Sequence, residues 1–96
     1  MNEDIEFEEQ KRFSDCIDKS TLPFDFFLPT WKILIEFDGA QHYIPIELFG
    51  GEDGFIDRKR KDSIKTKWAK NSEYKLFRIR YDENVELALK SIFIQE

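Results

Sequence analysis

The sequence predicts one α/β (α+β) domain, a mixed β-sheet flanked by helices in the order β-β-β-α-β-α. Three observations support this prediction. Short apolar runs of strand length fill the first half of the chain, a basic helical pattern follows them, and a β-rich run then separates it from a second helical pattern. The 96 residues, 41% of them hydrophobic, suffice for a single domain with a modest core.

The first predicted strand is an edge strand over residues 5–13, where Ile5 and Phe7 alternate with polar residues. Residues 14–22 show little periodicity, and we expect a loop or a short helical turn there.

Two central strands are predicted over residues 24–28 and 32–38, joined by a turn at Pro29 and Thr30. The second of them is nearly continuous in apolar character, as expected for an interior strand covered on both faces.

The second half of the chain begins with a glycine-rich segment, residues 44–56, which predicts a long and functional loop. Residues 57–71 predict a helix, because Ile64 and Trp68 form a narrow apolar stripe among basic residues. Residues 74–81 predict the last strand.

A closing helix is expected after that strand, with Asp82 as its N-cap. Its apolar positions follow the i, i+3, i+4, i+7 spacing and are Val85, Ala88, Leu89 and Ile92.

Three carboxylates lie inside the central strands: Asp25, Glu36 and Asp38. Side chains alternate along a strand, so Glu36 and Asp38 should point the same way, with Asp25 facing them across the turn. Burying unpaired charge is costly, and a divalent cation would justify three carboxylates. The structural alternatives are backbone capping by Asp25, a surface strand face for the other two, and an ordinary Asp38-Gly39 turn.

Charge and composition restrict the function classes. The net charge of −5 argues against a protein uniformly coated in cations, but residues 57–70 hold seven bases against two acids and could form a basic docking face. A single cysteine and a single histidine exclude an intramolecular disulfide and a Cys/His zinc site within one chain. The sequence shows no signal peptide and no membrane-length apolar run, so we expect a cytoplasmic protein without a membrane partner.

The motifs FDFFLP at 24–29 and IEFDGAQHY at 35–43 resemble the PD-(D/E)XK nuclease superfamily, in particular the branch of the very short patch repair endonuclease and related phage or homing-type endonucleases. Asp62, Lys65 and the segment YKLFRIRY at 74–81 extend the resemblance over most of the chain. It implies a restriction-endonuclease-like fold and a Mg²⁺-dependent DNA endonuclease in which Mn²⁺ can substitute.

By this resemblance Asp25 stands at the first metal-binding aspartate and Glu36 at the second carboxylate of the superfamily pattern. Asp38 stands where the classical lysine would be, and His42 lies near the histidine that this branch uses for proton transfer. An unperturbed pKa near 6.5 suits a histidine to that step at neutral pH.

On the predicted helix, Asp62 matches an acid common in the branch and Lys65 a basic position beside it, although the two could also form a simple surface ion pair. The basic residues of this helix could lie along the DNA backbone. The predicted nucleic-acid contacts are Arg58, Lys59, Arg60, Lys61, Gln41 and Arg78.

The family domain usually begins with a helix that carries a further acidic residue, and this chain contains no such pattern. It could therefore be a minimal form, a fragment, or a module completed by a partner chain or a second copy in a homodimer. The alternative function is a catalytically inactive nuclease-fold module that binds DNA or protein. A third idea, imitation of nucleic acid by the acidic N-terminal third, is disfavoured because a mimic needs exposed charges.

Overall fold

The computed structural model describes residues 6–40, 43, 47 and 50–94. Within these residues the chain forms β1 (Glu8–Ile17), β2 (Thr21–Leu28), β3 (Ile33–Asp38), α1 (Gly51–Lys70), β4 (Lys75–Arg80) and α2 (Val85–Ile94). The predicted element order is confirmed. Neither helix in this part of the chain has the length and apolar character needed to cross a membrane.

The four strands form one mixed sheet in the spatial order β1-β2-β3-β4. The β1–β2 and β2–β3 pairs are antiparallel, whereas β3 and β4 are parallel. A parallel pair needs a long crossover connection, and α1 lies within the one that joins β3 to β4. Strand β3 is therefore interior, as its apolar sequence predicts.

The turn between β2 and β3 forms where Pro29 and Thr30 predict it. The Trp31 amide donates to the Leu28 carbonyl and the Lys32 amide to the Pro29 carbonyl, both at 3.2 Å. This short connection makes β2 and β3 antiparallel neighbours and sets their carboxylates on adjacent strands.

The predicted loop over residues 14–22 is wrong, because β1 runs on to Ile17 and β2 already begins at Thr21. Cys16 and Leu22 are buried in the core, which holds this segment in the sheet. The β1–β2 register shifts between Arg12 and Ile17, so the alternation that would reveal a strand is interrupted there.

The predicted loop over residues 44–56 is also wrong in its last part, because α1 begins at Gly51. Gly50 has φ +94 and precedes the helix, and the Gly54 amide donates to the Gly50 carbonyl at 3.1 Å. Because glycine disfavours helices, the sequence gives no sign that α1 begins here. The acidic first turn, with Glu52 and Asp53, favours it through the helix dipole.

The N-cap prediction for the last helix needs a correction of two residues. Asn84 Oδ1 accepts a hydrogen bond from the Leu87 amide at 3.0 Å, so Asn84 caps α2. Asp82 instead forms an ion pair with Arg80. Both residue types are good N-caps, and the sequence alone ranks them equally.

Two hydrophobic clusters lie on opposite faces of the sheet. The α1 face contains Cys16, Leu22, Phe24, Phe27 and Leu34, with Trp68 and Tyr74 packed against them. The α2 face contains Leu28, Ile33, Ile35, Ile79 and Ile92. Because β3 sends Leu34 to the α1 face, Glu36 and Asp38 follow it there, and both are buried.

Candidate functional site

Asp25 and Glu36 meet where the ladder between β2 and β3 stops. The last backbone pair is Phe26 with Ile35. Beyond it, the Asp25 amide donates to Glu36 Oε2 and the Phe37 amide donates to Asp25 Oδ2, each at 2.7 Å. Here carboxylate oxygens, and not backbone carbonyls, accept hydrogen bonds from the amides of the neighbouring strand. These bonds bring two carboxylates from adjacent strands together.

Lys65 adds a cation to this pair. Its Nζ donates to Glu36 Oε1 at 2.6 Å and lies 5.2 Å from the centroid of the Phe24 ring. The exposed fractions of the two side chains, 12% for Lys65 and 4% for Glu36, place the contact inside the protein. Lys65 can reach the sheet because it lies on the same side of α1 as Trp68 and Ala69, which pack or are buried there.

The surroundings of Glu36 raise its pKa above the ordinary value. Burial is the largest cause, and the neighbouring Asp25 carboxylate acts in the same direction. The Lys65 ammonium and the Asp25 amide oppose the rise by stabilising the charged form. Glu36 is therefore a carboxylate with increased proton affinity held between a cation and a second acid.

Asp38, two residues farther along β3, belongs to a second group. Arg78 Nη1 lies 3.3 Å from Asp38 Oδ1, and Arg78 Nη2 donates to the Asp62 carbonyl at 3.1 Å and to Thr66 Oγ1 at 3.0 Å. The Tyr43 hydroxyl donates to Asp38 Oδ2 at 3.2 Å. Arg78 thereby fastens α1 to the sheet beside the Glu36–Lys65 pair.

Gln10 is a site residue that sequence reasoning missed. It lies on β1 beside Asp25, has φ +52, and its Nε2 donates to Asp25 Oδ1 at 3.4 Å. A non-glycine residue in this left-handed region is strained, and such strain concentrates at functional sites. No local pattern signals it, because the contact joins residues that are 15 positions apart in the chain.

The basic run of α1 is partly neutralised within the fold. Arg60 forms ion pairs with Asp18, at 2.7 Å, and with Asp57, while Lys61 lies 3.2 Å from Asp57. Arg58 is half-buried. Acidic side chains therefore lie between the basic residues that were predicted to contact nucleic acid.

Lys59, the remaining member of the run, is exposed and its Nζ lies 5.2 Å from the centroid of the Tyr43 ring. The two other predicted site residues, Gln41 and His42, lie outside the described residues.

Asp25 and Glu36, two of the three predicted metal ligands, lie together, whereas Asp38 contacts Arg78. Within the described residues, no three His, Cys, Asp or Glu side chains form a group that could hold a metal ion. Mg²⁺ keeps several waters and is commonly held by one or two carboxylates, which Asp25 and Glu36 could supply. That a metal ion binds to these carboxylates, with or without Asp38, stays a prediction.

Comparison of the chain with protein-family models, with curated proteins and with solved structures gave no match. The resemblance to the PD-(D/E)XK nucleases therefore stays a prediction.

Proposed function

We propose that this protein is a Mg²⁺-dependent DNA endonuclease of the PD-(D/E)XK type that hydrolyses phosphodiester bonds. One observation carries the proposal. Asp25, Glu36 and Lys65 converge at one point of the fold, although Lys65 is 29 residues from Glu36 and comes from a different element.

Phosphodiester hydrolysis needs positive charge at the scissile phosphate and an activated water. A Mg²⁺ ion held by Asp25 and Glu36 would supply the Lewis acidity for both. The Lys65 ammonium would stabilise negative charge that develops on the phosphate, and its contact with Glu36 would hold it in position. His42 is the proposed general base.

The burial of the charges supports a functional role. Replacing a buried ion pair by well-packed apolar residues is often neutral or stabilising, so folding alone does not require Glu36 and Lys65. Asp25 adds a second carboxylate beside Glu36 and increases the electrostatic cost. Binding of a cation and a phosphate would account for the presence of Asp25, Glu36 and Lys65 at this position.

A non-catalytic module that kept this fold is the second candidate, and the contacts of the carboxylates favour it. Asp25 accepts from the Phe37 amide, Glu36 from Lys65, and Asp38 from Arg78. Each of the three carboxylates thus accepts a hydrogen bond from a donor of the protein itself. On this reading the protein would bind DNA or a protein partner and cleave nothing.

Cleavage of supercoiled plasmid in Mg²⁺ separates the two candidates. We expect the wild type to nick the plasmid and to stop when EDTA is added. Asp25→Asn, Glu36→Gln and Lys65→Met should each lower the rate by roughly a hundredfold or more. Glu86→Gln is the matched control, because Glu86 is an exposed acid on α2.

Equal cleavage by the wild type and the three site variants would refute the nuclease proposal. DNA binding without metal-dependent cleavage would select the non-catalytic module. Mn²⁺ titration by calorimetry adds a readout that does not depend on turnover, and Asp25→Asn should abolish the binding heat.

A further inference from the structure

Two tyrosines and two cations form a surface at the end of the parallel strand pair. We call it the Tyr43–Tyr81 surface; its members are Tyr43, Lys59, Arg80 and Tyr81. The two tyrosine ring centroids lie 6.1 Å apart. The Arg80 guanidinium carbon lies 4.3 Å from the Tyr43 centroid and 5.9 Å from the Tyr81 centroid. The rings and cations thus form a single contiguous patch.

Three of the four members of this patch are open to a ligand, whereas Tyr43 is half-buried. Tyr81 is 55% exposed, and Arg80 and Lys59 are exposed as well. Asp82 accepts from Arg80 Nε at 3.0 Å and from Nη2 at 3.4 Å, so it orients the guanidinium and offsets part of its charge. An exposed tyrosine beside two cations is not needed to fill the core.

The surface adjoins the candidate site. The Tyr43 hydroxyl donates to Asp38 Oδ2 at 3.2 Å, and Asp38 lies on the same face of β3 as Glu36. Burial and the Asp38 carboxylate raise the pKa of Tyr43 above its ordinary value. The surface therefore contacts β3 two residues beyond Glu36.

Aromatic faces interleaved with cations are the recognition chemistry of single-stranded nucleic acid. Bases stack on exposed rings, and cations beside the rings attract the phosphates. In a duplex the base faces are hidden in the stack, so only unpaired nucleotides could stack on the exposed Tyr81 ring.

We propose that the Tyr43–Tyr81 surface binds unpaired nucleotides of single-stranded DNA, with a base on the exposed Tyr81 ring and phosphates at Lys59 and Arg80. The proposal rests on the proposed nuclease function for its choice of DNA, and it names the form of the substrate. Binding itself requires neither the metal nor cleavage.

Fluorescence anisotropy in EDTA tests the proposal with the full chain. The probes are labelled oligothymidine, oligouridine of the same length, and a mixed-sequence DNA duplex. We expect oligothymidine to bind more tightly than the other two. Tyr81→Ala should lower its affinity at least fivefold, a factor typical of about one lost base stack, whereas Tyr81→Phe keeps the ring and the affinity.

Lys59→Ala should weaken binding and reduce the slope of log affinity against log salt by about 0.7, because one phosphate contact is lost. Lys90→Ala is its matched control, since Lys90 is an exposed lysine on α2 paired with Glu86. Circular dichroism confirms that each variant is folded, as expected for exposed side chains.

Equal or tighter binding of the duplex, or unchanged affinity of Tyr81→Ala, overturns the proposed surface. Equal or tighter binding of oligouridine overturns the choice of DNA. The nuclease proposal fails separately: a wild type that binds oligothymidine but cleaves nothing removes the enzyme and leaves the surface. If the wild type cleaves DNA in a metal-dependent way and Tyr81→Ala binds oligothymidine as tightly as the wild type, the nuclease proposal stands and the surface proposal fails.

Discussion

Replacing Lys65 with methionine should make folding stability strongly dependent on pH. The substitution keeps most of the side-chain volume but leaves the Glu36 carboxylate, whose residue is 3% exposed, without its cation. Breaking a buried ion pair in this way typically costs about 3–5 kcal/mol. Because domains of this kind have only about 5–15 kcal/mol of stability, the loss is readily measured.

Protonation of Glu36 limits that cost. Each pH unit above the ordinary glutamate pKa of 4.5 adds about 1.4 kcal/mol to the cost of keeping the acid protonated, which amounts to about 3 kcal/mol at pH 7. The sign follows from proton binding. A folded-state pKa that is raised means that the folded protein binds more protons than the unfolded chain, so stability falls as the pH rises above 4.5.

Urea unfolding between pH 5 and pH 8, followed by tryptophan fluorescence, measures this effect. We expect Lys65→Met to lose about 3 kcal/mol at pH 7 and to recover part of the loss at pH 5. Adding Glu36→Gln should flatten the pH dependence, because no titrating group remains at that position. Lys90→Met removes an exposed pair with Glu86 and should cost less than about 0.5 kcal/mol at every pH.

A loss below about 1 kcal/mol for Lys65→Met, with no dependence on pH, would refute the reasoning. It would mean that Glu36 is solvated in the absence of Lys65, so that burial does not govern its charge.

Three further predictions concern Gln10, the cap of α2 and the aromatic core. Gln10→Gly relieves the strain at φ +52 and should raise stability by about 1 kcal/mol in urea unfolding while lowering plasmid nicking; unchanged nicking would make Gln10 purely structural. Asn84→Ala should cost about 1 kcal/mol and Asp82→Ala less than half of that, and the reverse order would place the cap at Asp82. Trp68→Ala should lower stability by about 3–5 kcal/mol, because its ring contacts Phe13 with centroids 4.7 Å apart; a loss below about 1 kcal/mol would contradict that packing.

The element order could be predicted because it depends on local patterns. Strand alternation along Ile33–Asp38 placed Glu36 and Asp38 on one face, and Pro29 supplied the turn that makes β2 and β3 neighbours. Two segments, the end of β1 and the start of α1, were predicted wrongly because their strand and helix patterns are interrupted. A register shift conceals the end of β1, and glycines conceal the start of α1.

The carboxylates of the site could be predicted from the sequence, because an acidic residue inside an apolar strand pattern is easy to identify. Their partners could not. Three contacts depend on how the helix and the strands pack: Lys65 with Glu36, Arg78 with Asp38, and Gln10 with Asp25. Their partners are 15 to 40 residues apart in the chain. The sequence by itself determined which charges enter the sheet. Only the tertiary structure decided which of them meet, because periodicity describes one element at a time and contacts between elements depend on register and packing.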